Sequence, residues 1–401
     1  MNLEKQDKQY VLQTYARDYT NFVKGVGSTL YDENGKDYID FASGIGVNSV
    51  GHGNDVLTSA LCEQAKNIIH ISNLQVIEPQ AKLAQKIVEL SGYNMGIFFA
   101  NSGAEANEGA IKIARKYGEK KRKKLEKNKR QKTQNILTLD YSFHGRTIST
   151  VKASGQKDMH KGYFGPYPWG LKSAKNIGDL YSKIDENTIG VMIELVQGEG
   201  GVQPFEKVKI QSLASHLKSK DILLIVDEVQ TGVYRTGEFL ASNLYEIEPD
   251  IITLAKGLGG GVPIGAVMTK HKEILSKGDH GSTFGGNYLS TTAGLAVLDV
   301  LKPMYDNGHI AETLLYFSEK LKRIVASYGN LFEKEVGLGL MRGLRAKSAE
   351  VQANIVSNAM AEGLVILKAG RNTVRFLPSI TITKSEIDEG FVRFEKVLNT
   401  L

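Results

Sequence analysis

The chain has 401 residues, 41% hydrophobic and 23% charged, with 42 glycines, 8 prolines and one cysteine. That length exceeds the roughly 250–300 residues at which a single core stops growing, so two domains are expected, and the balance excludes a disordered or fibrous chain. The net charge of +6 is local: eleven Lys and Arg against two Glu between Arg115 and Lys132 give +9 there and leave −3 for the rest. The run Lys120–Arg130 has no interleaved aromatics on which bases could stack, so it reads as a solvated helix extension and no nucleic-acid partner is expected. The longest uniformly aliphatic run, Ile222 to Val226, is far short of the roughly 20 residues that span a bilayer. The polar start Met1–Asp7 does not read as a signal peptide. Cys62 alone makes neither an internal disulfide nor a Cys-rich zinc site. A cytoplasmic protein with no membrane partner and no metal is expected.

In chain order, the first forty residues read as an extended segment followed by a hairpin, Ser28–Tyr31 and Lys36–Phe41, around the turn Asp32-Glu33-Asn34-Gly35. A helix over Ala81–Glu89 follows. Then short apolar runs alternate with amphipathic stretches, the pattern of a parallel sheet covered by helices. The strands are expected at Ile97–Ala100, Ile136–Leu139, Gly190–Leu195, Ile222–Val226, Ile251–Leu254 and Gly265–Met268, with helices at Ala104–Lys116 and Lys209–Lys218. After a helix over Thr291–Leu301 the pattern changes to the long helices Ala311–Tyr328 and Ser348–Glu362 and a strand at Val374–Leu377. The expected division is an N-terminal segment 1–49 joining a small C-terminal domain 306–401, around a large domain 50–305. The fold class is α/β with a mixed, mostly parallel sheet.

Two glycine clusters invite a nucleotide reading and fail it. The dinucleotide pattern G-x-G-x-x-G breaks at Val262 in the segment Gly257–Gly261 and at Gln203 after Gly198, and neither cluster ends in G-K-[ST]. Three other segments are better placed. Asn101-Ser102-Gly103-Ala104-Glu105 leaves an apolar strand and opens a helix, where free amides make an anion site; on this segment alone an ordinary N-cap by Ser102 is the plainer reading. Asp227-Glu228 ends the aliphatic run 222–226, at the strand end where open α/β sheets bind ligands; Asp227 is either a turn acid or the partner of a protonated heterocyclic nitrogen. Lys256 ends another apolar strand beside Gly257, as a surface lysine or as a desolvated, nucleophilic amine. Together an anion cradle, a pyridinium partner and an aldehyde anchor are what pyridoxal 5′-phosphate needs.

The chain resembles the class III, fold type I, pyridoxal-phosphate-dependent aminotransferases. The matching segments are Ser43-Gly44-Ile45-Gly46-Val47-Asn48, Asn101–Asn107, Phe143-His144-Gly145-Arg146-Thr147, Gln197-Gly198-Glu199-Gly200-Gly201-Val202, Asp227–Gly232, Ala255–Gly261, His280–Asn287 and Val374–Pro378. They follow the family's order over nearly the whole length. The resemblance implies that Lys256 is the catalytic lysine, Asp227 the partner of the ring nitrogen and Gln230 the partner of the ring hydroxyl. Phe143 and Val229 sandwich the ring, Ser102, Gly103 and Ala104 hold the phosphate, and Glu194 supports Asp227. It also implies a homodimer in which Ser282 and Thr283 reach in from the neighbouring subunit, with Thr283 on the phosphate.

For substrates, the resemblance gives Arg146 the donor's α-carboxylate and Arg375 that of 2-oxoglutarate, with Glu199 pairing Arg375 while the donor is bound. Tyr15 falls near an aromatic at the substrate entrance. Ile45 stands where ornithine-specific members carry a tyrosine that holds a free α-amino group, so a blocked amine is expected. The expected reaction moves the δ-amino group of N2-acetyl-L-ornithine to 2-oxoglutarate, in arginine biosynthesis; succinylornithine, ornithine and 4-aminobutyrate are the alternative donors. The family's Glu-Pro, Asn-Pro and small-domain arginine are here Glu194-Leu195, Asn287-Tyr288 and Val336. His52 and His144 lie inside motifs and read as structural hydrogen-bonders.

Overall fold

The apolar runs at the middle of the chain form seven strands of one sheet: β1 (Gly96–Ala100), β2 (Asn135–Leu139), β3 (Leu171–Ala174), β4 (Thr188–Ile193), β5 (Leu223–Asp227), β6 (Ile251–Leu254) and β7 (Gly265–Thr269). The computed structural model describes residues 3–123, 134–162 and 164–401. The strand order is β1-β7-β6-β5-β4-β2-β3. Every pair is parallel except those of β7, which runs antiparallel to both β6 and β1. Every residue of β2 and of β4 to β7 is buried, which is why these strands are continuous apolar runs rather than alternating ones. Strand β3, unforeseen from sequence, buries only Leu171 and Ala174 at the sheet edge, so its four residues carry no apolar run.

The period-2 alternation splits β5 between two cores. Leu223 and Ile225 pack with Ala110, Ile113 and Ala114 of helix α1 (Gly103–Lys123). Leu224 and Val226 pack on the opposite face with Ile210, Leu213 and Leu217 of the helix Lys207–Ser219. The alanines of α1 let its axis approach the sheet closely, and its first turn is thereby held against the strand ends.

The C-terminal part carries an antiparallel sheet in the order Phe332–Leu338, Met341–Ala346, Thr373–Phe376, Leu367–Ala369. The strand Asp37–Asp40 pairs parallel with Leu364–Val365, bringing the two chain ends together. Phe41 then inserts among Phe317, Phe376 and Phe391. A Cβ on Gly390 would stand 2.1 Å from the Phe41 ring, so only glycine admits it.

One expectation is corrected. Leu3–Tyr10 is helical, not extended; none of its residues is buried, and the Glu4–Lys8 pair at 2.7 Å supports it locally, so no apolar period announced it. The basic tract continues α1 as far as Lys123. Within α1, Arg115 and Lys120 bond to the carbonyls of Trp169 and Glu273, while Lys116 and Lys121 pair with Asp279 and Asp221. Residues 124–132 of the tract lie outside the described residues. Among the described residues no helix is long and apolar enough to cross a membrane.

Candidate active site

A cavity of about 440 Å³ opens at the carboxyl ends of β1, β5 and β6, where the parallel strands leave their last amides and side chains facing α1. Strand β1 ends at Ala100 and α1 begins at Gly103. The Ser102 hydroxyl accepts from Glu105 N at 3.2 Å, so it caps the helix. Gly103 and Ala104 line the cavity with first-turn amides that have no carbonyl partner within the helix. Cap and anion cradle therefore coexist. A Cβ on Gly103 would come within 2.8 Å of Val229, another lining residue, so glycine is what lets the two walls close.

Strand β5 delivers Asp227, which is 4% exposed. Its Oδ1 accepts Val229 N at 3.0 Å, and its Oδ2 accepts both Asn107 Nδ2 and His144 Nδ1 at 2.8 Å. Burial pulls the His144 imidazole down, but the bond to Asp227, that carboxylate's charge and Glu194 together raise it above its ordinary value. Glu228 follows the strand's alternation to the other face. There it accepts Thr231 Oγ1, Ala241 N, Ser242 N and Ser242 Oγ at 2.5–3.0 Å, tying down the 228–242 loop. Of the acid pair only Asp227 enters the cavity.

Lys256 follows β6 through Ala255 with φ +41, a left-handed conformation that costs a non-glycine residue about 1–2 kcal/mol. Burial, reinforced by the Arg375 charge, pulls its ammonium down to about 8; Glu199, Asp227 and Glu194 oppose the fall. Glu194 accepts Phe143 N at 2.8 Å and Gly198 N at 3.2 Å, and burial pushes it up to about 7, with Asp227 adding to the rise and His144 opposing it. Both groups are thus drawn from their ordinary values toward neutrality, the range in which a proton-transfer site operates.

Phe143, Arg146, Glu199 and Gln230 complete the same cavity. The Arg146 guanidinium lies 5.6 Å from the centre of the Phe143 ring. Arg375, 3% exposed, donates from Nη1 to Glu199 Oε1 at 2.6 Å. Of the groups in and around this cavity, three buried atoms have no partner among the described residues: Gln230 Oε1, His144 Nε2 and Arg375 Nε.

Three sequence-derived candidates lie elsewhere. Ser282 and Thr283 line a separate cavity of about 750 Å³ with His70, Asn73 and Phe99; Ser282 Oγ accepts Asn101 Nδ2 at 3.1 Å, and Asn101 is shared with the first cavity. Tyr15 is 72% exposed, with the Arg17 guanidinium 5.6 Å from its ring. Conversely, Asn107 and Thr253 were not singled out from sequence. The readable signal was an asparagine inside the apolar face Ala106, Ala110, Ile111 of α1, since a buried amide must find partners.

The sequence profile of the Aminotransferase class-III family matches residues 13–398. The acetylornithine aminotransferase of Wolinella succinogenes is 56% identical over 395 residues, which cover 98% of this chain and 99% of that protein. Among solved structures, the ornithine aminotransferase of Toxoplasma gondii superposes with a TM-score of 0.90 at 31% identity, covering 99% of this chain and 94% of that one. The N-acetylornithine aminotransferase of Stenotrophomonas maltophilia gives 0.82 at 29% identity, covering 99% of each chain. With its lysine, aspartate and helix start converging in one cavity, and with a family match over nearly its whole length, the chain belongs to the class-III aminotransferases.

Proposed function

We propose that the protein moves the terminal amino group of N2-acetyl-L-ornithine to 2-oxoglutarate, using pyridoxal phosphate. The observation that carries the reading is the convergence of Lys256, Asp227 and the α1 start on one cavity. The cavity fits the cofactor: the unpartnered Gln230 Oε1 is a spare acceptor for a hydroxyl, and the first amides of α1 suit a phosphate. Ser102, Gly103 and Ala104 would hold the phosphate, Asp227 the ring nitrogen, Gln230 the ring hydroxyl, Phe143 and Val229 the ring faces, and Lys256 the aldehyde. When bound, the ring supplies an electron sink for the substrate carbon.

The chain's own groups do the rest. Lys256 Nζ, largely neutral above its lowered value, takes the proton from the carbon that bears the amino group and returns it on the other side of the reaction. Glu194 stands behind Asp227 as its support. Arg146 grips the donor's α-carboxylate at the far end, so the distant amine reaches the reacting centre. A guanidinium does this bidentately where an ammonium would not. Arg375 takes the 2-oxoglutarate α-carboxylate when Glu199 leaves it. Ser282 and Thr283 serve a second copy's site: Leu74, Val76 and Phe284, at 89, 87 and 60% exposure, offer that copy an apolar face. The assembly is a homodimer that works in the cytoplasm, with Tyr15 near the entrance.

Ile45 supports the choice of donor. It sits 42% exposed within Ser43–Gly46, four successive residues with φ of +46 to +74, a conformation a β-branched side chain adopts at a cost. An exposed, strained isoleucine offers no acceptor to a free α-amino group and is compatible with an acylated one. Stopped-flow absorption of the holoenzyme with single donors tests the reading. N-acetylornithine is expected to discharge the cofactor band at lower concentration than ornithine or 4-aminobutyrate. Faster discharge by ornithine would reject the donor assignment, and no cofactor band after reconstitution would reject the enzyme. Ile45→Tyr is expected to narrow the acetylornithine-to-ornithine ratio of kcat/KM by about tenfold, the worth of one hydrogen bond to a charged group, as steady-state kinetics with both donors would read.

A further inference from the structure

Asp227 is held by more donors than a strand-end acid needs. An ionised carboxylate offers about four lone-pair positions. Among the described residues three are filled: one on Oδ1 by Val229 N, and both on Oδ2 by Asn107 Nδ2 and His144 Nδ1. The position left open is on Oδ1.

The donor that completes Oδ2 is itself fixed. Asn107 Nδ2 donates to His144 O at 2.7 Å as well as to Asp227, which decides the amide's orientation, and Asn107 Oδ1 is anchored by Thr253 Oγ1 at 2.8 Å. Asn107 and His144 are 1% exposed and Thr253 is fully buried. The sheet sets the geometry. Asp227 and Thr253 are register partners of β5 and β6, so their side chains leave the same face, and α1 lays Asn107 across both. A hydroxyl in the central strand Ile-Ile-Thr-Leu is otherwise unneeded, since valine would fill the same shape; the Asn107 amide is the partner that accounts for it.

We propose that Thr253 and Asn107 are positioning residues, which saturate Oδ2 of Asp227 and leave Oδ1 as the single acceptor for the protonated ring nitrogen. The proposal rests on Asp227 being that nitrogen's partner. With the relay intact, the carboxylate has one orientation and one open site. Without the Thr253 hydroxyl the Asn107 amide loses the anchor on its oxygen, its hold on Oδ2 loosens, and the carboxylate is no longer confined to the orientation that presents Oδ1 alone.

The test uses the holoenzyme reconstituted with cofactor labelled with 15N at the ring nitrogen, in wild type, Thr253→Val, Thr253→Ser, Asn107→Leu and Asp227→Asn. Four quantities are read: the ring 15N shift, the cofactor Kd by equilibrium dialysis, kcat and KM for the donor, and the Tm of the apoenzyme. Thr253→Val, which keeps the β-branch and shape, is expected to move the 15N resonance and lower kcat roughly 3–10-fold, with the donor KM within about twofold. Thr253→Ser restores both. Asn107→Leu is expected to lose roughly 10–100-fold in kcat and weaken cofactor binding; should it fail to fold, the Thr253 pair decides alone. A Thr253→Val enzyme with wild-type resonance and kcat, changed only in Tm, overturns the relay, as does a serine variant no better than valine. If Asp227→Asn also keeps the wild-type resonance and turnover, the role of Asp227 itself has failed and the relay with it. If Asp227→Asn is inactive while Thr253→Val is unchanged, the relay alone has failed.

Discussion

Replacing Lys256 by alanine is expected to lower kcat by about 10⁴-fold or more, the upper range for a positioned proton-transfer group, while the apoenzyme stays folded. The side chain projects into the cavity rather than into a core, so little packing is lost. The left-handed backbone at this residue costs alanine no more than lysine, because the penalty comes from the Cβ both share. The pH dependence follows from the same environment. Burial and the Arg375 charge favour the neutral amine, so the competent form is depleted as pH falls through about 8 and accumulates as it rises. The chemical step measured by single-turnover kinetics should therefore rise with pH through that value and level off above it. Removing the opposing carboxylate with Glu199→Gln should move the midpoint further down. A Lys256→Ala enzyme that still turned over would sink the assignment, and a pH-independent chemical step would sink the account of its activation.

The strands that position this chemistry were legible because both their faces are buried. Leu223–Asp227 and Ile251–Leu254 have no room for a polar alternation, so they stand out as aliphatic runs with Asp227 and Lys256 at their ends. Leu171–Ala174 was not legible, because an edge strand packs only its two terminal residues. The Leu3–Tyr10 helix was missed for the related reason that it buries nothing. Within the site, groups carried by local motifs were found; Asn107 and Thr253 were not, because their roles arise only when α1 crosses the register of β5 with β6. Ser282 and Thr283 show the opposite limit. Their motif is plain in the sequence, but one chain places them in a neighbouring cavity, one hydrogen bond from Asn101. Whose site they serve is a question of assembly, which no local pattern encodes.

The second large effect is expected at Arg375, and it should fall on one half of the reaction. Arg375→Ala is expected to slow the half-reaction with 2-oxoglutarate by about 150- to 5,000-fold, equivalent to the roughly 3–5 kcal/mol lost when one partner of a buried ion pair is removed. Discharge of the cofactor by N-acetylornithine should change by less than about threefold. The asymmetry comes from the pair's surroundings. The Arg375 side chain is 3% exposed and held in the strand Thr373–Phe376, whereas its partner Glu199 is 31% exposed. Returning Glu199 to water costs little desolvation, while Arg375 is buried and fixed in its strand, so the carboxylate is the member that swings. The unpartnered Nε leaves Arg375 a donor that Glu199, on Nη1, does not use, so an incoming α-carboxylate finds donors on the planar guanidinium beyond the one Glu199 takes. Lysine at this position keeps the charge but not the fork, so Arg375→Lys should recover only part of the loss. Single-turnover rates for each half-reaction decide the matter: equal losses in both halves would make Arg375 a structural strut of the small sheet, and a loss confined to the donor half would exchange the roles assigned to Arg146 and Arg375.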